Sequence, residues 1–105
     1  MKPGDVVTRY ARKKKGIDYD PSKDEGSYVS KGDVPFDKRS LPGKESDYTK
    51  ETFVVKKPIP SKESKATPWF DKQGTGNQNE LKTPEGEGIA ELIDDKALEH
   101  VGSMQ

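Results

Sequence analysis

Residues 51–57, Glu-Thr-Phe-Val-Val-Lys-Lys, are the clearest β-strand in the sequence and decide its fold class. β-branched and aromatic residues favour strands, and the period of two places Phe53 and Val55 on one face. Pro58-Ile59-Pro60 ends the strand, because proline cannot donate a ladder hydrogen bond. A strand with one apolar face is stable only within a larger sheet, so partner strands are expected elsewhere in the chain.

Short segments on both sides of this strand have the composition of such partners. Residues 5–10 (Asp-Val-Val-Thr-Arg-Tyr) and 27–30 (Ser-Tyr-Val-Ser) are rich in β-branched and aromatic side chains, and residues 98–101 are predicted to form a final strand. In contrast, residues 11–27 are predicted to be a solvated loop and residues 61–66 a surface connection.

One helix is predicted at about residues 84–95. Thr83 suits the N-cap and Pro84 the first helical position, and the later apolar residues follow helical spacing. The sequence therefore predicts an α+β fold: a small β-rich domain of short antiparallel strands with one C-terminal helix.

Composition excludes several classes of protein. The 105 residues are 28% hydrophobic and 36% charged, and 19 basic residues balance 19 acidic ones, which argues against a nucleic-acid binder. No apolar run is long enough to span a membrane, and the absence of cysteine excludes disulfides and thiolate metal sites. The single histidine, His100, is predicted to be a surface residue, so no metal site and no Ser-His-Asp triad are expected.

A polar run flanked by glycines, residues 73–78 (Gln-Gly-Thr-Gly-Asn-Gln), follows the aromatic Pro68-Trp69-Phe70. Glycine lets the backbone approach a ligand closely, and amide side chains supply directional donors and acceptors. The run is not a Walker phosphate loop, because no Lys-Ser/Thr pair follows the last glycine. It is a candidate ligand-binding segment.

The order of short motifs along the chain resembles the tuberculosis necrotising toxin (TNT) domain family from about Pro3 to Val101. The motifs are Thr8-Arg9-Tyr10, Gly26-Ser27-Tyr28-Val29-Ser30, Val34-Pro35-Phe36-x-x-Arg39-Ser40-Leu41-Pro42, Phe53-x-Val55-x-Lys57-Pro58-Ile59-Pro60 and Pro68-Trp69-Phe70-x-x-x-Gly74-x-Gly76-x-Gln78-x-Glu80-Leu81. The resemblance implies a single domain over residues 1–105, with a charged loop insertion at about residues 11–25.

The resemblance also implies an activity, that of an NAD+ glycohydrolase (NADase) toxin domain that cleaves the nicotinamide–ribose bond and kills target cells by NAD depletion. NAD+ is then the substrate, and no cofactor is expected. The implied catalytic residues are Gln78 and Arg39. The implied substrate-binding residues are Arg9, Gly74 and Gly76. Tyr10, Tyr28 and Phe70 are predicted to bind the substrate as aromatic surfaces for nicotinamide or adenine. Three other aromatic residues are predicted to be mainly structural: Phe36, Phe53 and Trp69.

Two alternative functions remain open on the sequence. An ADP-ribosyltransferase toxin would need a glutamate to orient its acceptor, and Glu80 lies two residues beyond Gln78. The other alternative is a non-catalytic module that binds NAD or a partner. Some relatives have a histidine on the strand before Lys57-Pro58-Ile59-Pro60, and this chain has Glu51 near that position.

The resemblance carries expectations about biology as well. The chain would be a monomeric domain of a larger secreted toxin in interbacterial competition, delivered by a secretion system and acting in the target-cell cytoplasm. A cognate immunity protein is the expected partner, and neither nucleic acid nor a membrane span is expected.

Overall fold

The computed structural model describes residues 1–12, 16, 18–32, 34, 36–39, 41–65 and 76–104. Over these residues the chain forms strands β1 (Val6–Arg12), β2 (Tyr28–Lys31), β3 (Tyr48–Val55), β4 (Ser61–Lys65), β5 (Asn77–Leu81) and β6 (Leu98–Met104), and helix α1 (Gly88–Asp94). The strands lie in the order β4-β5-β2-β1-β3-β6, and each neighbouring pair is antiparallel. The α+β class with one C-terminal helix is therefore confirmed.

The hydrophobic core lies between one face of the sheet and helix α1. Phe53 and Val55 are fully buried on this face, as the alternation of β3 predicts, and Ile89 and Leu92 of α1 pack against them. The other buried members of the core are Val7, Val29, Ile59, Leu81, Ala97 and Leu98. Full burial of a large apolar side chain stabilises the fold by roughly 1.5–3 kcal/mol, so these few residues provide much of its stability.

Strand β4 occupies residues predicted to be a surface connection, so that prediction is wrong. Its five residues pair with β5 along their whole length, from Ser61 opposite Leu81 to Lys65 opposite Asn77. Its sequence, Ser-Lys-Glu-Ser-Lys, has no apolar residue because β4 is an edge strand that lies largely in solvent. Ladder hydrogen bonds hold this strand, and lysines at such an edge oppose pairing with another chain.

Helix α1 begins four residues later than Pro84, the predicted first position. Gly86 has a left-handed φ of +72°, which a helix does not allow, and it closes a turn by donating its N–H to the Thr83 carbonyl. The Thr83 hydroxyl still accepts a hydrogen bond from the helix start, at the Gly88 amide. The predicted capping residue is therefore used, but across a turn that precedes the helix.

The prediction of a solvated loop over residues 11–27 is wrong at the beginning of this segment and in its second half. Ala11 and Arg12 complete β1, where Ala11 is buried. The carbonyls of Asp24 and Gly26 accept hydrogen bonds from the Ala90 and Ile89 amides of α1, at 2.7 and 3.0 Å. The second half is thus fixed to the first turn of α1, where open amides need acceptors.

Candidate functional site

A cleft opens where strands β1 and β2 separate. The two strands pair only through Val7 opposite Lys31 and Thr8 opposite Ser30, whereas β1 continues along β3 to Arg12. The cleft has a volume of about 270 Å³. Its described lining residues are Arg9, Tyr10, Gly26, Ser27, Tyr28, Val29, Ser30, Arg39, Leu41, Gly76, Asn77 and Gln78. Two of these described lining residues are arginines and none is acidic, but Asp24 pairs with one of the arginines, Arg9, at 3.0 Å and partly offsets its charge.

Arg39 is held in this wall by several contacts with the chain. Its Nε donates to the Val34 carbonyl at 2.8 Å, and its two terminal nitrogens donate to the carbonyl and the hydroxyl of Thr8 at 3.1 and 2.6 Å. Its guanidinium carbon lies 4.8 Å from the centre of the Tyr10 ring, a cation–π distance. These contacts fix the position of a permanent positive charge beside the cleft.

Arg9 lies at the point where β1 and β2 diverge. Its Nε is 3.0 Å from Asp24 Oδ2, a close ion pair without the alignment of a hydrogen bond, and its Nη1 makes a long 3.4 Å contact with the Tyr28 carbonyl. The guanidinium lies against the bare α-carbon of Gly26, where an added Cβ would be 2.0 Å from Nη1. Arg9 is therefore positioned by residues 24–28.

Gln78 lies on β5, half-buried, and its amide Nε2 donates to Ser64 Oγ of β4 at 3.2 Å. Gly76, just before β5, donates its N–H to the Lys38 carbonyl at 3.0 Å, and an added Cβ would lie 2.6 Å from Val34 Cγ1. The close approach that requires glycine here is thus to the chain itself. It brings the start of β5 against the segment that carries Arg39.

Two of the aromatic residues line the cleft, and two others are buried. Tyr28 is half exposed and Tyr10 is partly buried, and both line the cleft. Phe36 is buried against Tyr10 and Tyr48, with ring centres 5.2 and 5.1 Å apart, and Phe53 is in the core. The structural roles predicted for Phe36 and Phe53 are confirmed.

The structure brings six of the predicted site residues into this cleft: Arg9, Tyr10, Tyr28, Arg39, Gly76 and Gln78. Phe70 and Gly74, and also Trp69, lie outside the described residues. Asp24 is not among the predicted site residues, yet it contacts Arg9 from a segment predicted to be solvated. The sequence gives no signal for this pair, because Asp24 is far from Arg9 along the chain and lies among other acidic residues.

His100 is not the surface residue predicted from the sequence. Its side chain is 26% exposed, and its Nε2 lies 2.7 Å from Oε1 of the fully buried Glu51. Glu51 also accepts hydrogen bonds from the hydroxyls of Thr49 and Ser103. One extra residue in β6, Val101, allows His100 and Ser103 to face the same side of the sheet. Neither Glu51 nor His100 is among the described lining residues of the cleft.

Protonation of the Tyr19 hydroxyl makes the stability of the segment near Arg9 depend on pH. Its hydroxyl donates to Asp24 Oδ2 at 2.6 Å, and burial together with this bond raises the pKa of Tyr19 far above its usual range. Since the folded state prefers neutral tyrosine, this contribution to stability is complete below about pH 10 and is lost as the pH rises further.

The urea midpoint of wild type should therefore fall more between pH 9 and pH 11 than that of Tyr19→Phe. Equal falls in the two proteins would contradict this assignment.

No group of three or more His, Cys, Asp or Glu residues in the described part of the chain is placed to hold a metal ion. No helix among the described residues is long and apolar enough to cross a membrane.

Comparison with known proteins identifies the family. The sequence profile described as "Tuberculosis necrotizing toxin" matches residues 1–101, which is nearly the whole chain. A search of curated proteins finds no match. The profile match agrees with the resemblance carried by the short motifs, several of which form the walls of the cleft. The chain belongs to the tuberculosis necrotizing toxin family, a family of toxin domains.

Proposed function

We propose that this domain is an NAD+ glycohydrolase that acts in the cleft between β1 and β2. The observation that carries the proposal is the meeting of Arg9, Arg39 and Gln78 in one cleft of a toxin-family domain. NAD+ carries a pyrophosphate, and guanidinium groups are well suited to phosphate oxygens. The cleft offers two such groups, of which Arg9 is partly neutralised by Asp24, and no acidic lining residue among those described.

The proposed hydrolysis requires little acid–base catalysis by the protein. Water forms a bond to ribose C1′ and loses a proton to solvent, while the bond to nicotinamide breaks and its electron pair neutralises the ring nitrogen. The transition state resembles an oxocarbenium ion, as in other glycoside hydrolysis. The leaving group is already cationic and needs no proton, so the site has mainly to orient the ribose and admit water.

Gln78 is the residue to which we assign ribose or water positioning. A neutral amide can accept from a hydroxyl or water through its oxygen and donate through its nitrogen. The Nε2 contact with Ser64 orients the amide on β5, which agrees with a positioning role. Tyr10 and Tyr28 supply aromatic walls against which a base or nicotinamide ring can pack.

The position of Glu80 favours hydrolysis over transfer of ADP-ribose to a protein. Its carboxylate lies 2.8 Å from Lys82 Nζ, and it is not among the described lining residues of the cleft. A transferase would need a carboxylate at the acceptor side of the ribose, and the described lining residues include none.

The test is direct. Purified protein should consume NAD+ and release nicotinamide and ADP-ribose in equal amounts, measured by chromatography, with no metal added. Heat-denatured protein is the control. Intact NAD+ after prolonged incubation would overturn the proposal, and ADP-ribose found on protein side chains by mass spectrometry would favour the transferase instead.

In the cell, we propose delivery of the domain as part of a larger secreted toxin and action in the target-cell cytoplasm. A producing cell would then need an immunity protein that blocks the cleft, because NAD+ hydrolysis harms the producer as well.

A further inference from the structure

We propose that Asp24 is a positioning residue that holds the Arg9 guanidinium in the cleft, so that the charged insertion completes the NAD+ site. This inference rests on the proposed function. It concerns a residue that the sequence places in a solvent-facing loop and that the structure places against Arg9, with the two side chains 10% and 18% exposed, respectively.

The backbone and the side chain of Asp24 make contacts with different parts of the protein. The carbonyls of Asp24 and Gly26 bond to the Ala90 and Ile89 amides, so the main chain alone can fix this segment to α1. The carboxylate instead accepts from the Gly26 amide at 2.9 Å and from the Tyr19 hydroxyl at 2.6 Å, and it pairs with Arg9 Nε. Attachment of the segment and orientation of Arg9 are therefore separable by mutation.

Gly26 forms the second side of the arginine site. The three nearest atoms to a Cβ added there are all in the Arg9 guanidinium, at 2.0, 2.6 and 2.7 Å. Since Gly26 does not have a positive φ, alanine is acceptable to the backbone, and the flexible end of Arg9 would move instead. Asp24 holds the guanidinium from one side, and the bare α-carbon of Gly26 leaves the space that it occupies.

Whether replacement of Asp24 weakens or strengthens NAD+ binding distinguishes a positioning role from a purely electrostatic one. Asp24 partly neutralises Arg9, so removal of its charge alone would strengthen attraction for the NAD+ pyrophosphate. If Asp24 positions Arg9, its removal weakens binding in spite of the gain in positive charge. Because a pyrophosphate contact is present in both ground and transition states, the loss should appear mainly in KM.

The experiment compares wild type with Asp24→Asn and Gly26→Ala. We expect kcat/KM for NAD+ to fall by roughly 10- to 100-fold in each, mostly through KM, since misplacement of a contact group by about 1 Å costs up to that much. Gly102→Ala is the matched control, because an added Cβ there meets nothing within 4 Å. An unchanged or lower KM in Gly26→Ala or in folded Asp24→Asn would overturn the proposal.

A double-mutant cycle separates positioning from a general structural role. In an Arg9→Met background, which removes the cation, the effect of Asp24→Asn on kcat/KM should nearly disappear, whereas an effect through folding would persist in full. A nuclear Overhauser contact between the Arg9 guanidinium protons and the Gly26 α-protons gives a second readout that does not depend on turnover: it should be present in wild type and weaken in Asp24→Asn. An unchanged contact would overturn the positioning role, whereas absence of turnover by wild type would overturn the proposed function instead.

Discussion

Gln78→Ala is expected to lower kcat for NAD+ hydrolysis at least roughly 100-fold, the scale seen when one preorganised transition-state contact is removed. The half-buried Gln78 projects from β5, a strand paired on both sides, so truncation should not disturb the backbone around it. The loss should therefore appear in kcat at nearly constant thermal stability. Steady-state kinetics with chromatographic detection of nicotinamide would measure it.

Two neighbouring substitutions serve as controls for this result. Ser64→Ala removes the partner of the Gln78 amide at 3.2 Å and should cost far less, because the glutamine itself remains. Glu80→Gln alters a carboxylate on the same strand that pairs with Lys82, and it should leave hydrolysis close to wild type. A wild-type rate in Gln78→Ala would remove Gln78 from the proposed mechanism. A strong loss in Glu80→Gln would favour the transferase alternative.

Glu51→Ala is expected to be strongly destabilising. Glu51 is fully buried and accepts from Thr49, Ser103 and His100, so its removal leaves a cavity and three polar groups without their acceptor. Breaking such a buried network costs about 3–5 kcal/mol. Domains of this kind have roughly 5–15 kcal/mol of stability in total, so the variant should be near or beyond its unfolding threshold at 37 °C.

Urea denaturation of matched variants would measure this effect. Glu99→Ala makes the same substitution in an exposed residue that pairs with Lys56 at 3.6 Å, and it should change stability by less than about 1 kcal/mol. Glu51→Gln keeps the shape and one acceptor oxygen, so its cost should lie between the two. If Glu51→Ala unfolds within about 1 kcal/mol of wild type, the buried network does not stabilise the sheet as argued.

The strands with a regular apolar pattern could be predicted from the sequence, and those without one could not. Phe53 and Val55 alternate with half-buried residues along β3, and this pattern is visible in any single sequence. Strand β4 has no apolar residue, because its neighbour β5 and not the core holds it. The start of α1 was misplaced because Gly86 adopts a left-handed conformation that the favourable Thr83-Pro84 pair does not reveal.

The candidate site divides in the same way. The structure places Arg39, Tyr28 and Gln78 in a single cleft, and their functional roles stay predictions. The ion pair of Arg9 with Asp24 depends on where β1 and β2 separate and on how α1 receives residues 24–26, and neither can be read from local sequence. The bulge at Val101 reverses the side on which Ser103 lies, which a strict period of two cannot anticipate.

The crowding around Gly26 has an evolutionary consequence. A Cβ at Gly26 would lie 2.0 Å from Arg9 Nη1, whereas a Cβ at Gly88 would lie 2.1 Å from the backbone carbonyl oxygen of residue 26, so only the first glycine depends on the arginine. Lineages that keep an arginine at position 9 should keep both glycines, whereas those that lose the arginine are free to replace Gly26. Covariation of positions 9 and 26, with glycine retained at position 88, would thus record selection on a single arginine.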